Sequence, residues 1–201
     1  MAEAKAQAAV AALQELREMS QIPIVCPGHT REINNLKFSD ATVDGLFMVS
    51  GCSDKMPMLR HGDAFTPAEG SEAAGWGAGD WIGTFQGHRG AVWTTTIDPQ
   101  CFVAATASAD CSVKVWDATT GAEKACLLHK SVVKTVDLTD DAKRCVSAGY
   151  SGTLQLWDLE RPDTELATIP FRPDAKKVRI LQALWDRSDA AEAAATPSCI
   201  L

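Results

Sequence analysis

Gly87-His88-Arg89-Gly90-Ala91-Val92-Trp93, continued by Ala109-Asp110-Cys111-Ser112-Val113-Lys114-Val115-Trp116-Asp117, decides the fold. It holds a Gly-His pair, two alternating apolar runs, a turn at Asp110 and a strand that closes on Trp116-Asp117. These landmarks return 41 residues later: His88 becomes His129, and Trp116-Asp117 becomes Trp157-Asp158, with 28 residues from His to Trp in both copies. No gap is needed to align them. Upstream, Gly28-His29 opens another copy in which Asp54 stands for Asp110, but Arg60 occupies the place of Trp116. A fourth copy starts near Val178 and runs through Trp185, with Lys176 where the His would be.

A period of this length falls in the range of roughly 40 to 45 residues expected for the four-stranded blades of WD propellers. A single blade buries both faces on its neighbours and is not stable alone. The expected fold is therefore all-β: a WD40 β-propeller, present as an incomplete arc of about three and a half blades of a ring that closes with four to eight. Residues 1–20 read as an Ala-rich helical or disordered extension, and 21–27 as a strand that closes the ring. The first WD repeat spans 28–86 with a loop insertion at 64–79, the second 87–127 and the third 128–170, and 171–201 begin a fourth. From His29 to His88 the chain exceeds the period by 18 residues, and the extra length gathers in hairpin turns on one side of the ring. With fewer blades than a closed propeller requires, the chain reads as the front part of a longer ring. On its own it is expected to be poorly soluble and to associate through open sheet edges.

At 201 residues the chain carries a net charge of −7 and a pI near 5.1, which argues against direct binding of nucleic acid. One local basic group, Arg172, Lys176, Lys177 and Arg179, reads as a solvated loop. The seven cysteines form no Cys-x-x-Cys pair and are read as small core residues in a reducing compartment. On that reading the protein is expected to be intracellular. The Ala-rich start carries acids and lacks a long apolar core, so neither a signal peptide nor a membrane span is expected.

A histidine near an Asp and a Ser invites a catalytic reading, yet His29, His88 and His129 are copies of one repeat position, and His61 is placed in a loop. A hydroxyl recurs on the second strand as Ser50, Thr106 and Ser147. With Asp54, Asp110, Trp116 and Trp157 these residues form a structural network in which each buried polar atom needs its partner. The second blade has the full set, the third has Ser151 in place of the Asp, and the first lacks the Trp. No catalytic residue, cofactor or metal is expected. Gly75 to Gly79 lacks the strand and helix of a nucleotide fingerprint, and Asp137, Asp140 and Asp141 are spaced like a hairpin turn. Trp93 and Trp185 are read as packing residues on first strands.

Beyond the generic repeat, Lys55-Met56-Pro57-Met58-Leu59-Arg60 and Gly79-Asp80-Trp81-Ile82-Gly83-Thr84-Phe85, with His129-Lys130 and Val133 to Asp137, resemble the serine/threonine kinase receptor-associated (unrip) family. The resemblance covers about residues 23 to 187, while Phe65 to Ala78, the N-terminal extension and the Ala-rich segment at 190–195 depart from it. It implies a seven-bladed, non-enzymatic scaffold in the cytoplasm, with the nucleus as a second compartment, whose partners are other proteins, above all ribonucleoprotein-assembly components. The family is linked to the survival-of-motor-neuron complex in spliceosomal RNP assembly and to regulation of receptor kinase signalling. The small WD subunit of translation initiation factor 3 shares the Gly-His-x-Gly-Ala-Val-Trp opening and is the alternative. A regulatory propeller of a larger enzyme is another. Arg60, Trp76 and Arg89 are the candidate partner-binding anchors.

Overall fold

The computed structural model describes residues 25–64, 75–161, 165–170, 179–185 and 199–200. The repeats fold as three four-stranded antiparallel sheets. The first is β1 (Ile33–Phe38), β2 (Phe47–Cys52), β3 (Met58–His61) and β4 (Trp81–Thr84). The second is β5 (Val92–Ile97), β6 (Val103–Ser108), β7 (Ser112–Asp117) and β8 (Glu123–Leu128). The third is β9 (Val133–Leu138), β10 (Arg144–Gly149), β11 (Thr153–Asp158) and β12 (Glu165–Pro170). A two-stranded piece follows, β13 (Leu184–Trp185) paired with β14 (Cys199–Ile200), where 171–201 were expected to begin a fourth repeat.

Each full sheet is a simple meander of consecutive antiparallel strands, joined by short turns except between β3 and β4, where residues 62–80 intervene. Residues 21–24 of the expected ring-closing strand, the 1–20 extension, and Arg172, Lys176 and Lys177 lie outside the described residues. Val25 and Cys26 are described and belong to no strand.

The first strands β1, β5, β9 and β13 lie side by side. They run in one direction and in register, since Thr96 bonds to Asp137 at the equivalent position of the next sheet (3.1 Å). Likewise Thr135 pairs with the backbone of Ala183, and Asp137 accepts from the Trp185 amide at 3.0 Å. Because all sheets share this polarity, their second-to-third-strand turns and the links between sheets lie at one end of the axis, here the upper face. First-to-second and third-to-fourth turns lie at the other, the lower face.

Apolar clusters fill the seams between sheets. Val49, Leu59 and Phe85 of the first sheet close on Ile97, Ala104 and Trp116 of the second. Ala107, Val113 and Leu127 close on Val133, Val136 and Trp157. Beyond the third sheet, Val146, Ala148 and Leu154 pack on Ile180, Ala183 and Trp185. The outward face of the first sheet has no such cover among the described residues. Ile33, Leu36 and Phe38 are 52%, 46% and 45% exposed, whereas their counterparts Val92, Thr95 and Ile97 are at 3% or less.

Several expectations need correction. Cysteines are not uniformly core residues: Cys52, Cys101 and Cys145 are buried, but Cys126 is exposed on the outer strand β8. Cys111 sits in the turn after β6 with φ at 66°, the counterpart of Lys55 (74°) and Gly152 (71°). The turn geometry there demands a left-handed residue, which only the third sheet meets with Gly. Asp137 is not a turn residue. It lies on β9, is 3% exposed, and bridges the second sheet to β13. Trp185 is a packing residue at 7% exposure, but Trp93 is only half-buried and carries Lys134 on its ring.

Candidate functional site

The expected polar chain is complete in the second blade. The indole Nε1–H of Trp116 donates to the Thr106 hydroxyl at 2.8 Å, and that hydroxyl donates to His88 Nε2 at 2.7 Å. His88 Nδ1–H donates to Asp110 Oδ2 at 2.8 Å. This direction of donation fixes a neutral imidazole, with its tautomer assigned from the network. Burial pushes the His88 pKa below its ordinary value, while Asp110 beside it pulls the other way. Burial also works against the Asp110 carboxylate, but donors on Ser112, the Arg89 amide and His88 outweigh it and hold the group at about 2. Asp110 thus ties the link before β5 to the turn before β7.

The first blade repeats this at its axial end. Ser50 donates to His29 Nε2 at 2.7 Å, and His29 Nδ1–H donates to Asp54 at 2.9 Å. Hydrogen bonds from His29 and from the Met56 and Thr30 amides prevail over burial and lower the Asp54 pKa. In the third blade Trp157 donates to Ser147 at 2.9 Å, and Ser147 lies 3.1 Å from His129 Nε2. Here Ser151 replaces the carboxylate and turns instead to Thr153 at 2.8 Å. With no acid to favour the imidazolium, burial drives His129 down to about 4.

His29, Cys52 and Asp54 place a nitrogen, a sulfur and an oxygen within 4.8 Å of one another, a grouping with metal-ligand chemistry. Its second-blade counterpart is His88, Ser108 and Asp110, and the two trios are built alike. Cys52 Sγ donates to Arg31 O and accepts from the Asp54 amide at 3.4 Å. Ser108 Oγ donates to Gly90 O and accepts from the Asp110 amide at 3.2 Å. Burial raises the Cys52 thiol pKa, against the thiolate that a metal needs. The trio reproduces the repeat's turn.

The partner-binding candidates separate. Arg60 is 2% exposed and therefore not a surface anchor. It faces Met48 across the sheet just as Trp116 faces Ala104, so it fills the tryptophan's place. Its guanidinium donates to Gly79 O at 3.1 Å and to Pro27 O, tying the approach to the first blade and the return to β4 onto β3. Trp76 is half-buried and stacks on His61 at 4.3 Å between ring centroids, with Phe47 on the same histidine at 5.7 Å. His61 ends β3 and anchors this aromatic group, where a loop position was expected. Arg89 is exposed on the upper face, held through its backbone to Asp110.

Sequence reading missed Asp137 and the row of axial contacts, including Asn35 to Thr95 at 2.9 Å and Thr94 to Lys134 O at 2.6 Å. These bonds run between repeats. The period shows only what recurs within one. The signal present was the run of Asn and Thr at inward positions of β1 and β5.

Comparison with known proteins agrees with this construction. The family described as "WD domain, G-beta repeat" matches residues 79–117 and 124–158. The human serine-threonine kinase receptor-associated protein is 42% identical over 171 residues, covering 85% of this chain and 44% of its own. The protein of that name from Dictyostelium discoideum is 42% identical over 147 residues, covering 73% of this chain and 45% of its own. Translation initiation factor 3 subunit I of Aspergillus oryzae is 32% identical over 149 residues, 71% of this chain and 39% of its own. The chain spans less than half the length of these relatives. The repeated polar chain, the matched repeats and the relatives identical at more than four positions in ten make it a WD-repeat protein of the serine-threonine kinase receptor-associated family.

Proposed function

We propose that the protein is a non-enzymatic scaffold that holds other proteins on the faces of a WD propeller. One observation carries the reading. The constellation that looked catalytic is, in its one complete copy among the described residues, sealed inside the second blade, with Thr106 and Trp116 at 0% exposure and His88 at 8%. Its hydroxyl and imidazole are consumed by one another, so no substrate atom can come within reach of either. The rigid sheets instead present exposed turn residues at both ends of the axis, the arrangement that suits protein recognition.

By relation to the receptor-associated proteins, the partners are components of ribonucleoprotein assembly, namely the survival-of-motor-neuron complex acting on spliceosomal Sm proteins. The working compartment is the cytoplasm, with access to the nucleus. A role in receptor kinase signalling belongs to the same reading, since the relatives carry that association in their name. The test is affinity purification of the full-length chain followed by mass spectrometry. Sm proteins and assembly-complex subunits are expected. Recovery of initiation-factor 3 subunits in their place would overturn the assignment in favour of the more distant relatives, at 29% and 32% identity. A catalytic domain in the same purified polypeptide would overturn the scaffold.

A further inference from the structure

Charge is not spread evenly between the two ends of the axis. On the lower turns Asp40, Asp44, Asp80, Asp140, Asp141 and Glu160 are exposed, against the exposed cations Lys143, Arg144 and Arg161, of which Lys143 pairs with Glu160 at 3.0 Å, so acids are in excess there. On the upper face the exposed charged side chains are chiefly Arg31, Lys55, Arg89, Lys130 and Arg179. Three acids share that end, Glu32 exposed and Asp54 and Asp110 partly buried with their carboxylates hydrogen-bonded to His29 and His88, so among the described residues the cations are in excess. In a chain of net charge −7, a cationic face runs against the composition.

The cations nearest the axis are also held in place. Lys134 Nζ sits 2.9 Å from the Trp93 ring centroid and 5.8 Å from that of Tyr150. Arg179 lies over Tyr150 at 4.7 Å. The result is a ladder of alternating aromatic and cationic groups running from the second sheet to the start of the fourth repeat. Aromatic faces position a cation without neutralising it, and among the described residues neither Lys134 nor Arg179 enters an ion pair. The ladder borders an axial cavity of about 680 Å³ whose wall includes Lys37, Trp93, Lys134 and Gln182. Burial lowers the Lys134 pKa, so a carboxylate placed there would meet a cation already stripped of part of its water.

We propose that this upper face, at the mouth of the axis, docks an acidic protein segment, its carboxylates on Lys134, Arg179 and the surrounding exposed cations. The proposal rests on the scaffold reading and names the surface and the partner's chemistry. Nucleic acid fits less well: single strands are held by stacking bases on open aromatic faces, and Lys134 already occupies the Trp93 ring. The acidic lower face would also repel a long polyanion.

The test uses the full-length chain and a fluorescein-labelled peptide of Glu and Asp residues around a central Phe, followed by anisotropy at low and physiological salt. Saturable binding that weakens with salt is expected. Lys130→Glu combined with Arg179→Glu should reduce affinity about tenfold or more, while Asp40→Lys with Asp44→Lys on the lower face should leave it unchanged or tighter. Thermal unfolding of each variant confirms that it folds. Absence of peptide binding, equal binding by the upper-face variant, or preferential binding of labelled polyuridylate would each overturn the proposal. Affinity purification with the same variant separates this failure from that of the scaffold: named partners retained by Lys130→Glu/Arg179→Glu remove the surface alone, and partners missing from the unaltered chain remove the scaffold.

Discussion

At the scale of single residues, Thr106 is the junction of the second blade, accepting from Trp116 and donating to His88. Thr106→Val keeps the shape and strands both partners, so a loss on the order of 3 kcal/mol is expected in urea unfolding. A loss no larger than that of an exposed Thr→Val change would refute the network's role. His129 makes the chain acid-sensitive. Its folded pKa is depressed to about 4 from 6.5, so the unfolded chain takes up this proton first as pH falls. The contribution is complete above about pH 6.5 and drains away toward pH 4, amounting to about 2 kcal/mol by pH 5. His129→Gln should flatten the fall in urea midpoint between about pH 7 and pH 5. These residues were legible in the sequence because a 41-residue period repeats them. What Arg60 does was not, since a residue that breaks the repeat reads equally well as a surface anchor or a buried tie until its partners are known.

At the scale of the element, strand spacing was read well because apolar alternation and turn residues both mark it. Close approach between strands was invisible. A Cβ on Gly149 would lie 2.1 Å from Val132 O and 2.9 Å from Val133 Cα, at the register shift between β9 and β10. Gly149→Ala must push the two strands apart, and a cost of roughly 2–4 kcal/mol is expected, measurable as a lowered denaturant midpoint. Arg60 offers a second element-level prediction. Arg60→Lys cannot span Gly79 O and Pro27 O with one ammonium, so it should behave nearly as badly as Arg60→Ala, at about 2–4 kcal/mol. Hydrogen exchange would show the effect around Gly79; full rescue by lysine would show that charge alone matters there.

At the scale of the molecule, the first sheet, whose outward face nothing among the described residues covers, governs behaviour in solution. Leu36 and Phe38 occupy positions buried in the other two blades but stand nearly half exposed here. The 201-residue chain should therefore self-associate, and Leu36→Lys with Phe38→Glu should shift it toward monomer in sedimentation velocity. An unaltered chain that sediments as monomer would contradict this. The three four-stranded blades followed from the period, whereas the segregation of charge did not. It emerges only when the direction of β1, β5 and β9 assigns each turn to an end. An excess of acids at one pole and of bases at the other gives the described part of the molecule an electric dipole along its axis. In dilute buffer that dipole would turn an approaching polyanion before contact and draw copies into pole-to-pole columns. At physiological ionic strength the field decays within about 8 Å, and only partners already at the mouth of the axis would feel it.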